Sequence, residues 1–310
     1  MSTYTYEAGE INQEGLDRNL ELPCSTLFKF FQSARMRLPW VGAAYHDFHN
    51  EDPVDEMRRL VVKSQGISLT EAAFVTSPLN KVVRTQVQLA EVGKTSIEFR
   101  YNVYFDNILV ARGCAIMVNV TGPPGGLKPS PVPRRIADMA PTAEPTSHHL
   151  ASKAELRKAL AAPLPATVPK DPLAFETTFV VRFSDEDVNK HANHTFLIRL
   201  VEDTLACAQA TQGKVAALAK FFIYNKVVGI AMEYLHEAHA LDVVRVQLTE
   251  RPPEPDEDAD AETSPKDEIE FSVQVSKIVR AVKGTVADSV LARGVVLLAT
   301  PKGGEGKSRI

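Results

Sequence analysis

Between Phe179 and Asp203 the chain reads F-V-V-R-F-S-D-E-D-V-N-K-H-A-N-H-T-F-L-I-R-L-V-E-D. Asp187, Asn189 and His191 put a carboxylate, an amide and an imidazole at alternate positions of one polar turn. Asn193 and His194 follow where an amphipathic helix begins, and the first N–H groups of a helix have no partner inside it. Such a set can polarise a carbonyl and direct a water at it. A carboxylate takes the proton, and donors at the positive end of the helix dipole hold the developing oxyanion. The backbone N–H groups near Asn193 and His194 are the expected donors. Taken singly, Asp187 and Asn189 suit a strand-to-helix turn without any catalysis, since both residue types favour turns and caps. It is their combination with His191, and with Glu237 on a later strand, that favours chemistry. Asp185 and Glu202 read as solvent-facing or capping residues.

These groups need a strand before them and a buried helix after them. A strand is expected near Phe175–Phe183. The helix expected from Asn193 to Gln212 has Leu197, Leu200, Val201, Leu205 and Ala208 at three-to-four spacing. Strands near Val227–Tyr234, Val243–Thr249, Glu268–Val279 and Ser289–Leu298 follow. The first half repeats the order, with a strand near Thr3–Ile11, a helix at Ser25–Leu38, and strands around Ile67–Thr76, Lys81–Val92, Thr95–Phe105 and Leu109–Val120. Late in each half a strand reads L-V-A-R-G (Leu109–Gly113) or V-L-A-R-G (Val290–Gly294), at the same place in both element orders. One helix and then several long strands, twice, predicts an α+β chain in which each half wraps an antiparallel sheet around a central helix. Dense proline from Thr121 to Pro172 predicts a linker, broken by one short helix after the capping box Ser152-Lys153-Ala154-Glu155. The acidic, proline-bearing run Glu250–Glu268 reads as a disordered hairpin loop. The expected organisation is a first half at 1–120, a linker at 121–172, a second half at 173–300 and a flexible tail at 301–310.

The whole chain narrows the function classes. Its 310 residues carry a net charge of -4, with 24% charged and 44% hydrophobic residues, so nucleic acid is not an expected partner. No apolar run reaches the length of a membrane span. Cys24, Cys114 and Cys207 are few, odd in number and far apart, which predicts buried reduced thiols rather than a disulfide framework or zinc site. His46, His49, His148, His149 and His239 lack metal-ligand spacing, and neither a metal nor a cofactor is expected. Trp40 and Phe48 read as core. The N-terminus lacks the pattern of a secretory or transit segment. Ser308-Arg309-Ile310 resembles a weak peroxisomal address, so the expected location is cytoplasmic or peroxisomal.

The order strand, D-x-N-x-H turn, helix, then E-Y-x-x-E on a strand resembles the hotdog-fold thioesterases, and most of all the two-hotdog acyl-carrier-protein thioesterases and their acyl-CoA relatives. Asp187 to His194 (D-V-N-K-H-A-N-H) matches that family's D-x-N-x-H-x-N-N except at its last position, and Glu233-Tyr234-Leu235-His236-Glu237 fits E-Y-x-x-E. Gly15-Leu16-Asp17-Arg18 and Gln32 are similar to the family's N-terminal G-x-D-R and mid-helix glutamine. The resemblance implies a tandem (double) hotdog that hydrolyses fatty acyl thioesters, with Asp187, Asn189, His191 and Glu237 as its catalytic groups. The substrate partner would be acyl-CoA or an acyl carrier protein, and the missing plastid-type leader favours CoA. It further implies a monomer with an internal hotdog pair, or a homodimer. Departures are Ala238, where plant members have a cysteine, and Phe196 and Leu197, where bacterial acyl-CoA members often have a tyrosine. In the first half the matching turn is Asp17–Glu21, with Glu21 in the histidine's place, so that half is expected to be structural or to shape an acyl tunnel.

Two other classes share these features. A double-hotdog enoyl-CoA hydratase has D-x-N-P-x-H, but here Lys190 replaces the proline and Ala192 stands where the histidine would fall. A hotdog protein without catalysis, binding acyl groups or scaffolding partners, would also suit the acidic loop and the proline-rich linker.

Overall fold

The computed structural model describes residues 3–11, 22–38, 59–122, 126–138, 174–187, 191–211, 226–251, 268–280 and 286–299. Asn189, Gly15–Arg18, Glu21, Trp40, Phe48, the Ser152–Glu155 capping box, most of the acidic run and Ser308–Ile310 lie outside the described residues, as do His46, His49, His148 and His149. The chain divides into two compact units, Met1–Arg157 and Lys158–Ile310.

In the first unit, β1 (Thr3–Glu10) leads to α1 (Cys24–Met36), then β2 (Arg59–Leu69), a helical turn α2 (Ala72–Val75), β3 (Val82–Val92), β4 (Ser96–Phe105) and β5 (Ile108–Thr121). The strands form an antiparallel sheet in the order β1-β3-β4-β5-β2. Helix α1 buries Cys24, Leu27, Phe28, Phe31, Ala34 and Arg35, the three-to-four spacing of a wide apolar stripe, and packs on β1 and β3. Full burial of Leu27, Phe28 and Phe31 contributes about 1.5–3 kcal/mol each.

The expected strand Ile67–Thr76 is displaced: β2 begins at Arg59 and stops at Leu69. A bulge between Val62 and Ser64 breaks the alternation that would have announced its first half. Past Leu69, Thr70 donates its N–H to the Val110 carbonyl and its hydroxyl to that of Leu109. The helix-forming Glu71-Ala72-Ala73 then turns as α2 instead of continuing the strand. Residues 126–138, expected within a connector, pack on this unit. A two-residue strand β6 (Lys128–Pro129) pairs with β5, and a helical turn α3 (Arg134–Ala137) follows. The Asn119 amide donates to the Pro131 carbonyl at 2.7 Å, and Val132 and Ile136 are buried.

The second unit runs β7 (Ala174–Val180), a 3-10 turn (Phe183–Asp185), α4 (His194–Thr211), β8 (Lys226–Tyr234), β9 (Val243–Glu250), β10 (Glu268–Arg280) and β11 (Val286–Ala299). Its antiparallel order is β8-β11-β10-β9-β7. Helix α4 packs on β7 and β9 through the side that carries Leu197, Leu200, Val201, Leu205 and Ala208. Cys24 and Cys114 are buried thiols as expected, but Cys207 is exposed. It continues the outward row of Arg199 and Asp203 at four-residue spacing, off the helix's buried stripe.

The repeated pentapeptide has a structural cause in each unit. Gly113 pairs with Ile67 and Tyr101, and Gly294 with Met232 and Val273, so the two glycines occupy matching points of the two sheets. A methyl group at Gly113 would run into the Phe31 ring and the Gly66 carbonyl; at Gly294 it would meet the Ala231 carbonyl and the Met232 sulfur. The interiors differ. In the second unit the layer holds Val244, Val246, Leu248, Phe271, Val273 and Val275, all buried. In the first, Tyr101 takes the place of Val273 and stacks on Phe31 at 4.4 Å, while buried Arg35 donates to its hydroxyl at 3.0 Å. Burial pushes the Tyr101 hydroxyl above its ordinary pKa, and the Arg35 guanidinium opposes that rise.

Candidate functional site

The polar turn of the second unit is held from both ends. Strand β7 ends at Val180, short of the expected Phe183, because Phe183 belongs to the 3-10 turn. Asp185 anchors that turn. Its carboxylate accepts the Arg182 N–H at 2.8 Å and the Arg199 guanidinium at 3.0 Å, and its carbonyl accepts the Asn193 N–H at 3.1 Å. The Asp185 side chain is 7% exposed, so this is a structural pin between the turn and α4. Asn193 caps the helix, its Oδ1 accepting the Thr195 N–H at 2.9 Å and the Thr195 hydroxyl at 3.0 Å. Between these anchors the Asp187 N–H donates to the His191 carbonyl at 3.0 Å, closing a tight loop.

The connection between β8 and β9 is stitched along that loop. Ala192 N–H donates to the Ala238 carbonyl at 2.7 Å, Ala240 N–H to Glu186 Oε1 at 2.7 Å, and Leu241 N–H to the Val181 carbonyl at 2.8 Å. Leu235 and His236 donate to the Leu291 carbonyl from the other side. His191 precedes Ala192 and Glu237 precedes Ala238, so the bond between the two alanines sets their predecessors side by side. His191 Nδ1 lies 3.7 Å from Asp187 Oδ1, and His191 Nε2 lies 3.8 Å from Glu237 Oε1. The imidazole thus stands between two carboxylates. Both separations are ion-pair contacts longer than a hydrogen bond.

Three of the residues singled out from sequence, Asp187, His191 and Glu237, therefore meet in space, although Glu237 comes from a separate loop. Asn189 is outside the described residues. Asn193 sits at the helix start, but its N–H is spent on Asp185 and its side-chain oxygen on Thr195, so its observed work is capping. The His194 ring lies edge-on to Tyr234 at 5.9 Å, which joins the helix start to the end of β8. Glu233 points to the other face of β8, where it binds Arg293 at 2.7 Å across the sheet. The glutamate and arginine of E-Y-x-x-E and V-L-A-R-G are thus partners in a cross-strand ion pair.

Sequence reasoning missed the pairing of Asp185 with Arg199 and the reach of Glu186 to Ala240. The first joins residues 14 apart; only the turn's own closure, Asp185 returning to Arg182 three residues back, had a local signal. The second depends on a loop 54 residues further on and left no local trace.

No protein-family model and no curated protein matches the sequence. Solved structures do. An enzyme provisionally named oleoyl thioesterase, from Lactobacillus plantarum, matches with a TM-score of 0.66 at 16% identity over 96% of each chain. The 12:0-ACP thioesterase from Umbellularia californica matches with 0.63 at 12% identity, over 95% of this chain and 96% of that one. An acyl-ACP thioesterase from Bacteroides thetaiotaomicron matches with 0.59 at 14% identity, over 96% and 97%. At these identities the likeness is one of fold, and it runs almost the full length of the chain. The hotdog fold expected from the sequence is the fold observed.

Proposed function

We propose that this protein is a tandem hotdog thioesterase that hydrolyses fatty acyl thioesters to free acid and thiol, with its catalytic centre in the second unit. The observation that carries the reading is the placement of His191 between Asp187 and Glu237, in a chain whose fold is shared with solved acyl thioesterases.

In the proposed reaction a water attacks the thioester carbonyl carbon while Glu237 takes its proton. Glu237 is favoured as base because its side chain is 41% exposed, against 21% for Asp187, so water and substrate reach it first. Asp187 holds His191 from its Nδ1 side, and the Nε2 side of the ring orients Glu237 and the water. Asn189 is assigned to the acyl carbonyl or the water, as the family motif implies. Asn193 and His194 are assigned to the substrate side at the start of α4, whose dipole favours the developing oxyanion. When the tetrahedral intermediate collapses, the C–S bond breaks and the sulfur leaves with the proton held by Glu237, giving one carboxylic acid and one thiol. The first unit is assigned a structural or acyl-shaping role.

A panel of saturated and 2-enoyl thioesters of CoA and of acyl carrier protein tests this, following thiol release and loss of enoyl absorbance in parallel. Thiol release from saturated substrates supports hydrolysis, and the preferred carrier identifies the thiol. Enoyl loss without thiol selects a hydratase, and neither signal leaves a binding protein.

A further inference from the structure

The turn D-E-D (Asp185–Asp187) presents three successive carboxylates, and the chemistry above uses only the last. Asp185 pins the helix. Glu186 does something different: its Oε1 accepts the Ala240 N–H at 2.7 Å, from a loop that main-chain bonds also tie to the turn. The bond falls three residues after Glu237 and one residue before Asp187. Leu241, next to the bonded Ala240, has φ 72, a left-handed conformation that costs a leucine about 1 kcal/mol or more and needs neighbouring bonds to persist. Main-chain bridging between Glu186 and Ala192 keeps the Glu186 side chain over this loop.

We infer that Glu186 is a positioning residue of the site: its carboxylate latches the β8–β9 loop to the catalytic turn and so holds Glu237 against His191. This rests on the thioesterase reading for its catalytic consequence, though not for its structural one. Glu186 touches no reacting atom in this scheme. An acceptor oxygen is what the latch needs, so glutamine, which keeps an oxygen at the same reach, preserves it and alanine removes it.

The test uses the full chain as wild type, Glu186→Ala, Glu186→Gln and His191→Ala. Three readouts are followed: hydrolysis of a long-chain acyl-CoA across pH, exchange of the Ala240 amide, and the chemical shifts of the His191 ring by NMR. Loosening the loop by about 1 Å is expected to cost Glu186→Ala about 10²-fold in kcat, with KM changed little. Its Ala240 amide loses exchange protection and its His191 ring resonances move, as Glu237 moves away. Glu186→Gln keeps activity within a few-fold and keeps both NMR signatures. Wild-type exchange and wild-type His191 ring shifts in Glu186→Ala would overturn the latch. So would a Glu186→Gln variant as impaired as Glu186→Ala, because charge and not an acceptor would then be the requirement. If the wild type and His191→Ala both release no thiol, the enzymatic reading falls while amide exchange and the His191 ring shifts still decide the latch.

Discussion

The main chain at Gly113 passes so close to the Phe31 ring that no side chain fits between β5 and α1. An added methyl would stand 2.8 Å from the Gly66 carbonyl oxygen as well, so the strand cannot shift aside without breaking its pairing with β2. Gly113→Ala is expected to destabilise the protein by about 1–3 kcal/mol, the usual cost of overpacking. Denaturant titration reads this loss, and Phe31→Leu in the same chain should recover part of it. Full additivity of the two changes would count against the clash.

The buried Arg35 has the Tyr101 hydroxyl as its hydrogen-bond partner, and its Nε has none among the described residues. Tyr101→Phe therefore strips a buried guanidinium of its acceptor and should cost about 1.5–3 kcal/mol, as measured by urea unfolding. Arg35→Met removes the charge and keeps the volume, so it should be neutral or stabilising. The opposite ranking would mean that the guanidinium earns its place through a contact other than Tyr101.

Asp187→Asn and Glu237→Gln, made separately, should each lower kcat for acyl thioester hydrolysis by about 10²-fold or more. Folding should be retained, because each change keeps the side chain's size and an acceptor oxygen at the same reach. Circular dichroism and steady-state kinetics together make the check. Wild-type turnover in both variants would remove the assignment.

In the first unit Asp106 accepts hydrogen bonds from Lys81 Nζ at 2.8 Å and from the Val82 N–H at 3.2 Å. The bond from Lys81, then that from Val82, holds its carboxyl below the ordinary pKa. A carboxylate whose pKa is lower folded than unfolded adds stability above the unfolded value and loses it as the pH falls through the folded one. Asp106→Asn should therefore lower Tm at neutral pH, and the difference from wild type should shrink below about pH 4 and vanish in stronger acid. A Tm difference that stays constant into acid would show that charge plays no part at this turn.

Where a side chain's role depends on neighbours in sequence, it was legible from the chain alone. The apolar spacing of α1 and α4 located both helices to within two residues of their observed starts, and the matched glycines of L-V-A-R-G and V-L-A-R-G marked equivalent points of two sheets. The turn of Asp187 and His191 was legible for the same reason. What was hidden depends on distant chain. Nothing in H-E-A-H says that Ala238 accepts the Ala192 N–H, or that Glu186 holds Ala240, and without those bonds Glu237 has no reason to face His191. β2 was misplaced because its bulge breaks the two-residue rhythm on which strand reading depends. Tyr101 and Arg35 were passed over because a lone tyrosine in a strand and a lone arginine in a helix are ordinary until burial brings them together.

Strand β9 starts at Val243, beside the loop that carries Glu237, and ends at Glu250, where it pairs with Phe271 of β10. That is seven residues along, or roughly 23 Å of extended chain. The acid- and proline-rich run leaves and re-enters the sheet at this remote end, where Arg251 donates its N–H to the Glu270 carbonyl at 2.8 Å. Its roots are thus separated from the loop of Glu237 by the length of a strand. For anyone wishing to graft an epitope, a fluorophore or a surface tether onto this protein, the run between Arg251 and Glu268 is the natural point of attachment.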